Sequence, residues 1–268
     1  MLGAAIIVFR EVLEAALIIG IISAATHGIK NRSHWIWAGV FAGLLGAGVV
    51  ASITSLIAEM ASGFGQELFN IFILCVAILM LAWHNIWMSH HGKAFAKQAN
   101  SAGLDIKEGR SEISALFLIV ALAVLREGSE TVLFLYGIAT ANSASMHTTL
   151  VGGLLGLAGG CAIGFLLYLG LLSIPIRWFF KVTGTMVLLL AAGMASQVAQ
   201  LLIQADVISY LAMPLWDSSR LIAQDSALGT FLHAFAGYDA EPTGLQLLFF
   251  GMTILLISVA MKLSRDKH

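Results

Sequence analysis

Residues 2–25 read LGAAIIVFREVLEAALIIGIISAA, an apolar segment that carries Arg10, Glu11 and Glu14 near its middle. A helix needs about 20 mostly apolar residues to cross a bilayer, and this segment has that length. Each charge in hydrocarbon costs about 2.5 to 3.5 kcal/mol even on lenient insertion scales. The charges therefore predict a polar site inside a membrane helix. They also argue against a cleavable signal peptide, whose apolar region has no such interruption.

The whole chain has the composition of a membrane protein. Of 268 residues, 59% are hydrophobic and 11% are charged, whereas a soluble domain has about 25% charged residues. The 14 basic and 15 acidic residues leave no cationic excess for binding nucleic acid. Cys75 and Cys161 lie in separate apolar stretches, so they indicate neither a disulfide framework nor a Cys-x-x-Cys metal site. The composition predicts a multi-pass protein whose main solvent is the lipid bilayer.

Seven transmembrane helices are predicted. Stretches without Asp, Glu, Lys or Arg occupy 33–58, 68–92, 131–176, 182–205 and 242–261. The stretch 131–176 is too long for one crossing and divides at the polar residues 141–145, so it holds the end of one helix and all of the next. Two more spans, 2–25 and 113–140, contain charges. The predicted fold class is an all-α polytopic membrane protein, with one transmembrane domain over 1–268.

Basic residues predict the orientation, because Lys and Arg collect in cytoplasmic loops. Eleven of them fall in the loops and tail on one side of the membrane: Lys30, Arg32, Lys93, Lys97, Lys107, Arg110, Arg177, Lys181, Lys262, Arg265 and Lys267. Arg220 lies on the other side, where seven acidic residues also fall. The N-terminus is therefore expected outside and the C-terminus in the cytoplasm, with an acidic outer surface that attracts cations.

The two charged spans are related. A shift of 116 residues places the Arg-Glu-x-x-Glu motif at 10–14 on the same motif at 126–130. The second copy comes three helices after the first, an odd number, so it crosses in the opposite sense. This predicts an inverted repeat of three plus three helices with a seventh appended, a design common in transporters. The predicted segments are repeat one at about 1–90, a loop at 90–112, repeat two at about 113–204, an outer loop at 205–243 and a last helix at 244–263.

The paired motif has the properties of a metal site. At about 100° per residue, its three polar side chains fall in one wedge of the helix. For a single copy, an arginine that pairs with its own glutamates is an adequate alternative. Two copies place four carboxylates against two guanidiniums, and unpaired buried carboxylates are costly, so a multivalent cation is expected. The expected oxygen ligands are Glu11, Glu14, Glu127 and Glu130, and the arginines expected to orient them are Arg10 and Arg126.

Donor chemistry narrows the choice of ion and of protein class. Carboxylate oxygens are hard donors, and neither charged span has a thiolate or a histidine cluster. This pattern favours ferric iron, manganese or a similar ion over copper(I), and it leaves those ions as alternatives to one another. An intramembrane metal-dependent hydrolase or a structural membrane subunit is the alternative class. The chain has no His-Glu-x-x-His motif that would favour the hydrolase.

Further polar residues are candidates for the path of an ion, with ordinary solvated loops and helix ends as the alternative. Candidates at the outer entrance are Glu59, Glu67, His233, Asp239 and Glu241. Candidates at the inner exit are His84 and His91, which lie seven residues apart on one helix face.

On these features the sequence resembles the oxidase-dependent iron permeases, a family that includes the fungal high-affinity iron permease and the bacterial EfeU-type ferrous iron permease. The resemblance covers essentially the whole chain. It depends on the paired motifs and the seven spans, with smaller matches at 66–68, 191–193 and 237–238. One departure is Val12, where the family's first motif often has glycine, as the second motif has at Gly128.

The resemblance implies an iron permease and not an enzyme. Iron, ferric or oxidised from ferrous by a partner, would move from outside into the cytoplasm while the two motifs bind it. An extracytoplasmic oxidase or iron-delivery protein is the implied partner, and iron is a substrate, with no permanently bound cofactor. The alternative cargo is another metal such as lead or manganese. A bacterial inner membrane is the expected location.

Overall fold

The computed structural model describes residues 2–61, 66–141, 146–169, 176–224 and 226–265. Within these ranges the chain forms helices and no strand, apart from one isolated bridge between Pro214 and Thr243. The helices are α1 (Leu2–Ala25), α2 (Arg32–Ala61), α3 (Gln66–Lys107), α4 (Ala115–Ala141), α5 (Met146–Tyr168), α6 (Ile176–Gln204), α7 (Ala227–Ala236) and α8 (Gly244–Arg265).

The architecture is that of a helical membrane protein. Five stretches are long and apolar enough to cross a bilayer: Arg32–Leu56, Leu68–Met88, His147–Tyr168, Lys181–Gln204 and Gly244–Leu263. Two more helices, α1 with 24 residues and α4 with 27, have spanning length but contain the charged motifs. Large apolar side chains such as Trp37, Phe41 and Leu154 are exposed on the outside of the bundle. Lipid accounts for that exposure better than water does.

The third helix is longer than predicted. The sequence predicts a loop at 90–112, but α3 continues to Lys107 and has 42 residues, about 63 Å of helix. Its last part is not apolar, so hydropathy gives no sign of it. Ala99 and Ile106 are nevertheless buried in one cluster with Ile18 and Ile22 of α1. Packing against the end of α1 therefore stabilises a helix that the charge count assigns to a loop.

Two helix pairs pack in corresponding registers. The main partner of α1 is α5, and the main partner of α4 is α2. A Cβ atom at Gly156 would lie 2.3 Å from the carbonyl oxygen of Ala5, and one at Gly43 would lie 2.8 Å from that of Ala121. Ala5 and Ala121 are separated by the same 116 residues that relate the two motifs. Glycine allows this close backbone approach in both pairs.

The same packing accommodates Val12. A Cβ atom at Gly160 of α5 would lie 2.8 Å from Cβ of Val12. At the equivalent contact of the other pair, a Cβ atom at Gly128 would lie 2.7 Å from Cβ of Ala47. In the pair of α4 with α2, the glycine (Gly128) lies in the motif helix. In the pair of α1 with α5, the glycine (Gly160) lies in the partner helix, which leaves a matching space for Val12.

The segment between α6 and α8 folds back against α6. Its short helix α7 begins at the N-cap Ser226, whose hydroxyl accepts a hydrogen bond from the backbone N–H of Gly229, and it ends at Gly237 in the left-handed conformation. A Cβ atom at Gly237 would lie 2.4 Å from Cα of Gly193. Gly193 is near the middle of the apolar span 181–204. The predicted outer loop therefore reaches deep along α6.

Candidate metal centre

The first motif forms a buried cluster of charges on α1. Arg10 holds both of its glutamates, because its Nη1 lies 2.8 Å from Oε1 of Glu11 and its Nη2 lies 2.8 Å from Oε1 of Glu14. The side chains are sealed from solvent, with Arg10 only 3% exposed. This fork fixes one oxygen of each carboxylate. The second oxygen of Glu11 accepts no hydrogen bond from the described residues, and the second oxygen of Glu14 lies 3.4 Å from Nε2 of His84.

The second motif, on α4, also places its arginine near both glutamates, but through one nitrogen and at longer distances. Nε of Arg126 lies 3.2 Å from Oε1 of Glu130 and 3.9 Å from Oε1 of Glu127. The Arg126 side chain is 34% exposed, and its Cζ lies 4.3 Å from the centre of the Trp87 ring, a cation–π contact with α3. The two motifs are thus equivalent in sequence but differ in how tightly each arginine is enclosed.

A histidine from α3 joins the two motifs. His84 is buried, and its Nε2 lies 3.4 Å from Oε2 of Glu14 while its Nδ1 contacts Oε2 of Glu130. The imidazole therefore touches the second glutamate of each motif. The sequence predicts His84 at the inner exit of the ion path. Its burial and its contacts with Glu14 and Glu130 place it instead in the cluster between α1 and α4.

The side chains meet in one potential coordination sphere. Ligand atoms of Glu11, His84, Glu127 and Glu130 all lie within 4.8 Å of one another. An octahedral ion with bonds of about 2.1 Å separates its ligands by roughly 3.0 to 4.2 Å, so small side-chain rotations suffice to enclose one. In the described part of the chain, Oε2 of Glu11 and Oε2 of Glu127 are buried and accept no hydrogen bond. Such oxygens are costly to bury and well suited to a cation.

A cleft of about 630 Å³ leads to the second motif between α3 and α4. It opens at the protein surface, where Leu79 and Trp83 are exposed. Its apolar wall is formed by Val76, Leu79, Met80, Trp83 and Trp87, and its polar lining is formed by His84, Arg126 and Glu130. Among the described residues, none of the first motif lines this cleft.

Comparison with known proteins shows the family of the chain. Residues 1–264 match the iron permease FTR1 family. The chain belongs to the iron permease FTR1 family. A "Ferrous iron permease EfeU" from Escherichia coli O157:H7 is 32% identical over 247 residues, which cover 89% of this chain and 87% of that protein. One from Yersinia pestis is 32% identical over 246 residues, with 89% and 85% covered. No solved structure matches the chain significantly.

Membership in the FTR1 family confirms the resemblance drawn from the motifs. The protein is a multi-pass membrane protein of the plasma membrane, and the relatives it matches are named permeases, that is, transporters. A "Putative inactive ferrous iron permease EfeU" of Escherichia coli strain K12 matches to the same degree, 32% over 248 residues.

The candidates for the outer entrance that the structure describes lie apart from the cluster of Glu11, His84, Glu127 and Glu130. Nδ1 of His233 lies 2.7 Å from the carbonyl oxygen of Tyr238, and Oδ2 of Asp239 accepts a hydrogen bond of 3.1 Å from Nε2 of Gln246. Glu241 is exposed. These contacts organise the segment between α6 and α8. The candidates whose side chains lie outside the described residues are Glu59, Glu67 and His91.

One pattern along α3 places His84 on the face of the helix that points into the bundle. The buried residues of this helix recur at intervals of three and four, at Leu74, Ala77, Leu81, His84 and Met88. This is the spacing of a single helix face. A histidine within such a stripe points into the bundle, and the same helix brings Trp87 under Arg126.

Proposed function

We propose that this FTR1 family member carries iron from outside the cell into the cytoplasm through the cluster built by its two motifs. The observation that carries the proposal is the meeting of Glu11 of the first motif with Glu127 and Glu130 of the second motif around one buried point. Four carboxylates against two guanidiniums leave two negative charges in excess. A multivalent cation compensates that excess, and the arginines orient the carboxylates that bind it.

We further propose that α1 and α4 cross the membrane, which gives seven spans with the N-terminus outside and the C-terminus in the cytoplasm. The eleven basic residues of the proposed cytoplasmic loops and tail support this orientation. The matched contacts of Gly156 with Ala5 and of Gly43 with Ala121 support an inverted repeat. In such repeats the substrate site lies near the midplane between the two halves.

Transport in this proposal alternates access around a fixed site. Arg10 is 3% exposed and Arg126 is 34% exposed, so one half of the site is sealed while the other adjoins the cleft between α3 and α4. Closing the cleft over Arg126 and loosening the contacts of α1 would reverse that asymmetry. Alternating access of this kind needs two halves that can exchange their packing. The two motifs are equivalent in sequence and differ in how far their arginines are enclosed, which fits that requirement.

The proposed cargo is ferric iron, or ferrous iron oxidised during delivery. Carboxylate oxygens are hard ligands, which suits ferric iron, whereas the bacterial relatives are named for ferrous iron. A change of oxidation state needs an oxidant, so the proposed partner is an extracytoplasmic oxidase or iron-delivery protein. The acidic outer surface would raise the local concentration of iron at the entrance.

Reconstitution in liposomes tests the proposal. We expect saturable uptake of iron into the vesicles, with manganese and lead as weaker competitors, and no uptake with the double variant Glu11→Gln, Glu127→Gln. The control is Glu108→Gln, which alters a carboxylate that is paired with Arg110 at 2.7 Å and is 54% exposed, and which should transport normally. If manganese or lead were taken up in preference to iron, that metal and not iron would be the cargo. Turnover of a substrate without metal flux would contradict the transporter.

A further inference from the structure

We infer that His84 is a direct ligand of the transported ion and sets the selectivity of the site against magnesium, calcium and manganese. The inference rests on the proposed function and deepens it, because it concerns the same cluster. A site made of carboxylates alone suits these hard divalent cations as well as it suits iron. An imidazole nitrogen adds affinity for iron and for the later transition metals, and little for the hard cations.

The surroundings of the imidazole support a metal between its nitrogen and a carboxylate. Both ring nitrogens of His84 face carboxylate oxygens, Nε2 toward Glu14 and Nδ1 toward Glu130. The ring is thus shared between the two motifs, and a protonated imidazole can donate to both carboxylates. A cation bound at one nitrogen takes the place of the proton there and also coordinates the facing carboxylate oxygen. The other nitrogen remains a donor to the second carboxylate, as is usual for a histidine that binds a metal.

The neighbouring residue ties this part of α3 to α6. Asn85 is buried and its Nδ2 donates a hydrogen bond of 2.9 Å to the carbonyl oxygen of Gly184 in α6. A Cβ atom at Gly184 would lie 2.8 Å from Oδ1 of Asn85, so α3 and α6 approach closely beside His84. A ligand fixed by its helix in this way is preorganised for the ion.

Position also separates His84 from the other histidines of the described residues. It is 3% exposed, and one of its ring nitrogens lies within 4.8 Å of ligand oxygens from Glu11, Glu127 and Glu130. His147 at the start of α5 is exposed and is absent from that cluster. It therefore provides a matched control for a change of histidine to asparagine.

The first test uses copper(II) alone as the probe, since copper binds nitrogen and oxygen sites most tightly among these divalent metals. With one equivalent of copper(II), electron spin-echo spectra of the purified full-length protein should show modulation from the remote imidazole nitrogen. The modulation should disappear in His84→Asn and persist in His147→Asn. Absence of the signal from the wild-type protein, or its persistence in His84→Asn, would overturn the inference. Wild-type protein with ¹⁵N-labelled histidine gives an independent readout if the variant fails to fold.

The second test measures selectivity. In wild-type protein the ratio of affinities for iron(II) and manganese(II) should exceed that of His84→Asp by about 10-fold or more, the scale on which single groups around a metal change affinity. His84→Asp should still bind manganese, which shows that the cluster remains intact. An unchanged ratio would overturn the inference. If the protein takes up iron but gives no nitrogen signal, the transport function stands and His84 is not a ligand. If it gives the nitrogen signal but takes up no iron, His84 is a ligand and the proposed transport function is wrong.

Discussion

Replacing either Glu14 or Glu130 by glutamine is expected to lower iron uptake by about 100-fold or more, while the protein still inserts and folds. Glutamine has nearly the same volume, so packing around the cluster is preserved. The change removes one of two excess negative charges and one anionic oxygen donor. Groups that merely support a metal ligand affect affinity by about 10- to 100-fold, and a direct ligand is expected at or above the upper end. The measurement is the initial rate of uptake into proteoliposomes at equal protein content.

The two variants are designed as a pair across the repeat. Glu14 lies on α1 and Glu130 on α4, and both contact His84. If the motifs form one site, either substitution should abolish transport to a similar extent, and gel filtration should show an unaltered protein. Full uptake with both variants would exclude these carboxylates as ligands. Loss with one and normal uptake with the other would exclude a shared site.

The second large effect is expected from the arginine of the first motif. In Arg10→Lys, an ammonium group replaces a planar fork that holds Glu11 and Glu14 at 2.8 Å each. Lysine cannot reproduce both contacts in that geometry. The loss of one charge-assisted hydrogen bond costs about 1.5 to 3 kcal/mol, so we expect uptake to fall by about 10- to 100-fold.

The matched control is Arg126→Lys. Arg126 is 34% exposed and its contacts with the second motif are longer, so a lysine has room to rearrange, and solvent weakens the contacts that it replaces. We expect iron affinity in this conformation to fall by at most about 3-fold, which is below 1 kcal/mol. Iron affinities of the two variants, measured side by side, check the difference, because uptake passes through both conformations. Equal losses of affinity would contradict the unequal enclosure of the two arginines.

The parts of the fold that follow from local composition were predictable from the sequence. The first predicted segment, 2–25, coincides with α1, and the predicted 113–140 lies within two residues of α4. Apolar length sets these boundaries, and it depends on nearby residues alone. The motif spacing also predicts that its polar groups share one helix face, because a regular helix fixes that relation without any partner.

What could not be predicted depends on contacts between distant segments. The polar end of α3 is helical because Ala99 and Ile106 pack against α1, and no local pattern distinguishes it from a charged loop. The place of His84 at the inner end of the third predicted span makes it a candidate exit residue, although the stripe of buried residues from Leu74 to Met88 points it into the bundle. The depth of α7 depends on its packing against α6 and α1, including the close approach of Gly237 to Gly193, which spacing along the chain does not encode.

The number of iron ions bound per chain distinguishes one shared site from two separate motifs most directly. Equilibrium dialysis of the purified protein against iron should give one tightly bound ion per chain for the wild type, and none for Glu14→Gln or for Glu130→Gln. Ligand oxygens of Glu11, Glu127 and Glu130 lie within 4.8 Å of one another, a spacing that suits a single ion. Glu14 adjoins that site through its contact with His84. Two tightly bound ions in the wild type, with one retained in each variant, would contradict a site shared by the two motifs.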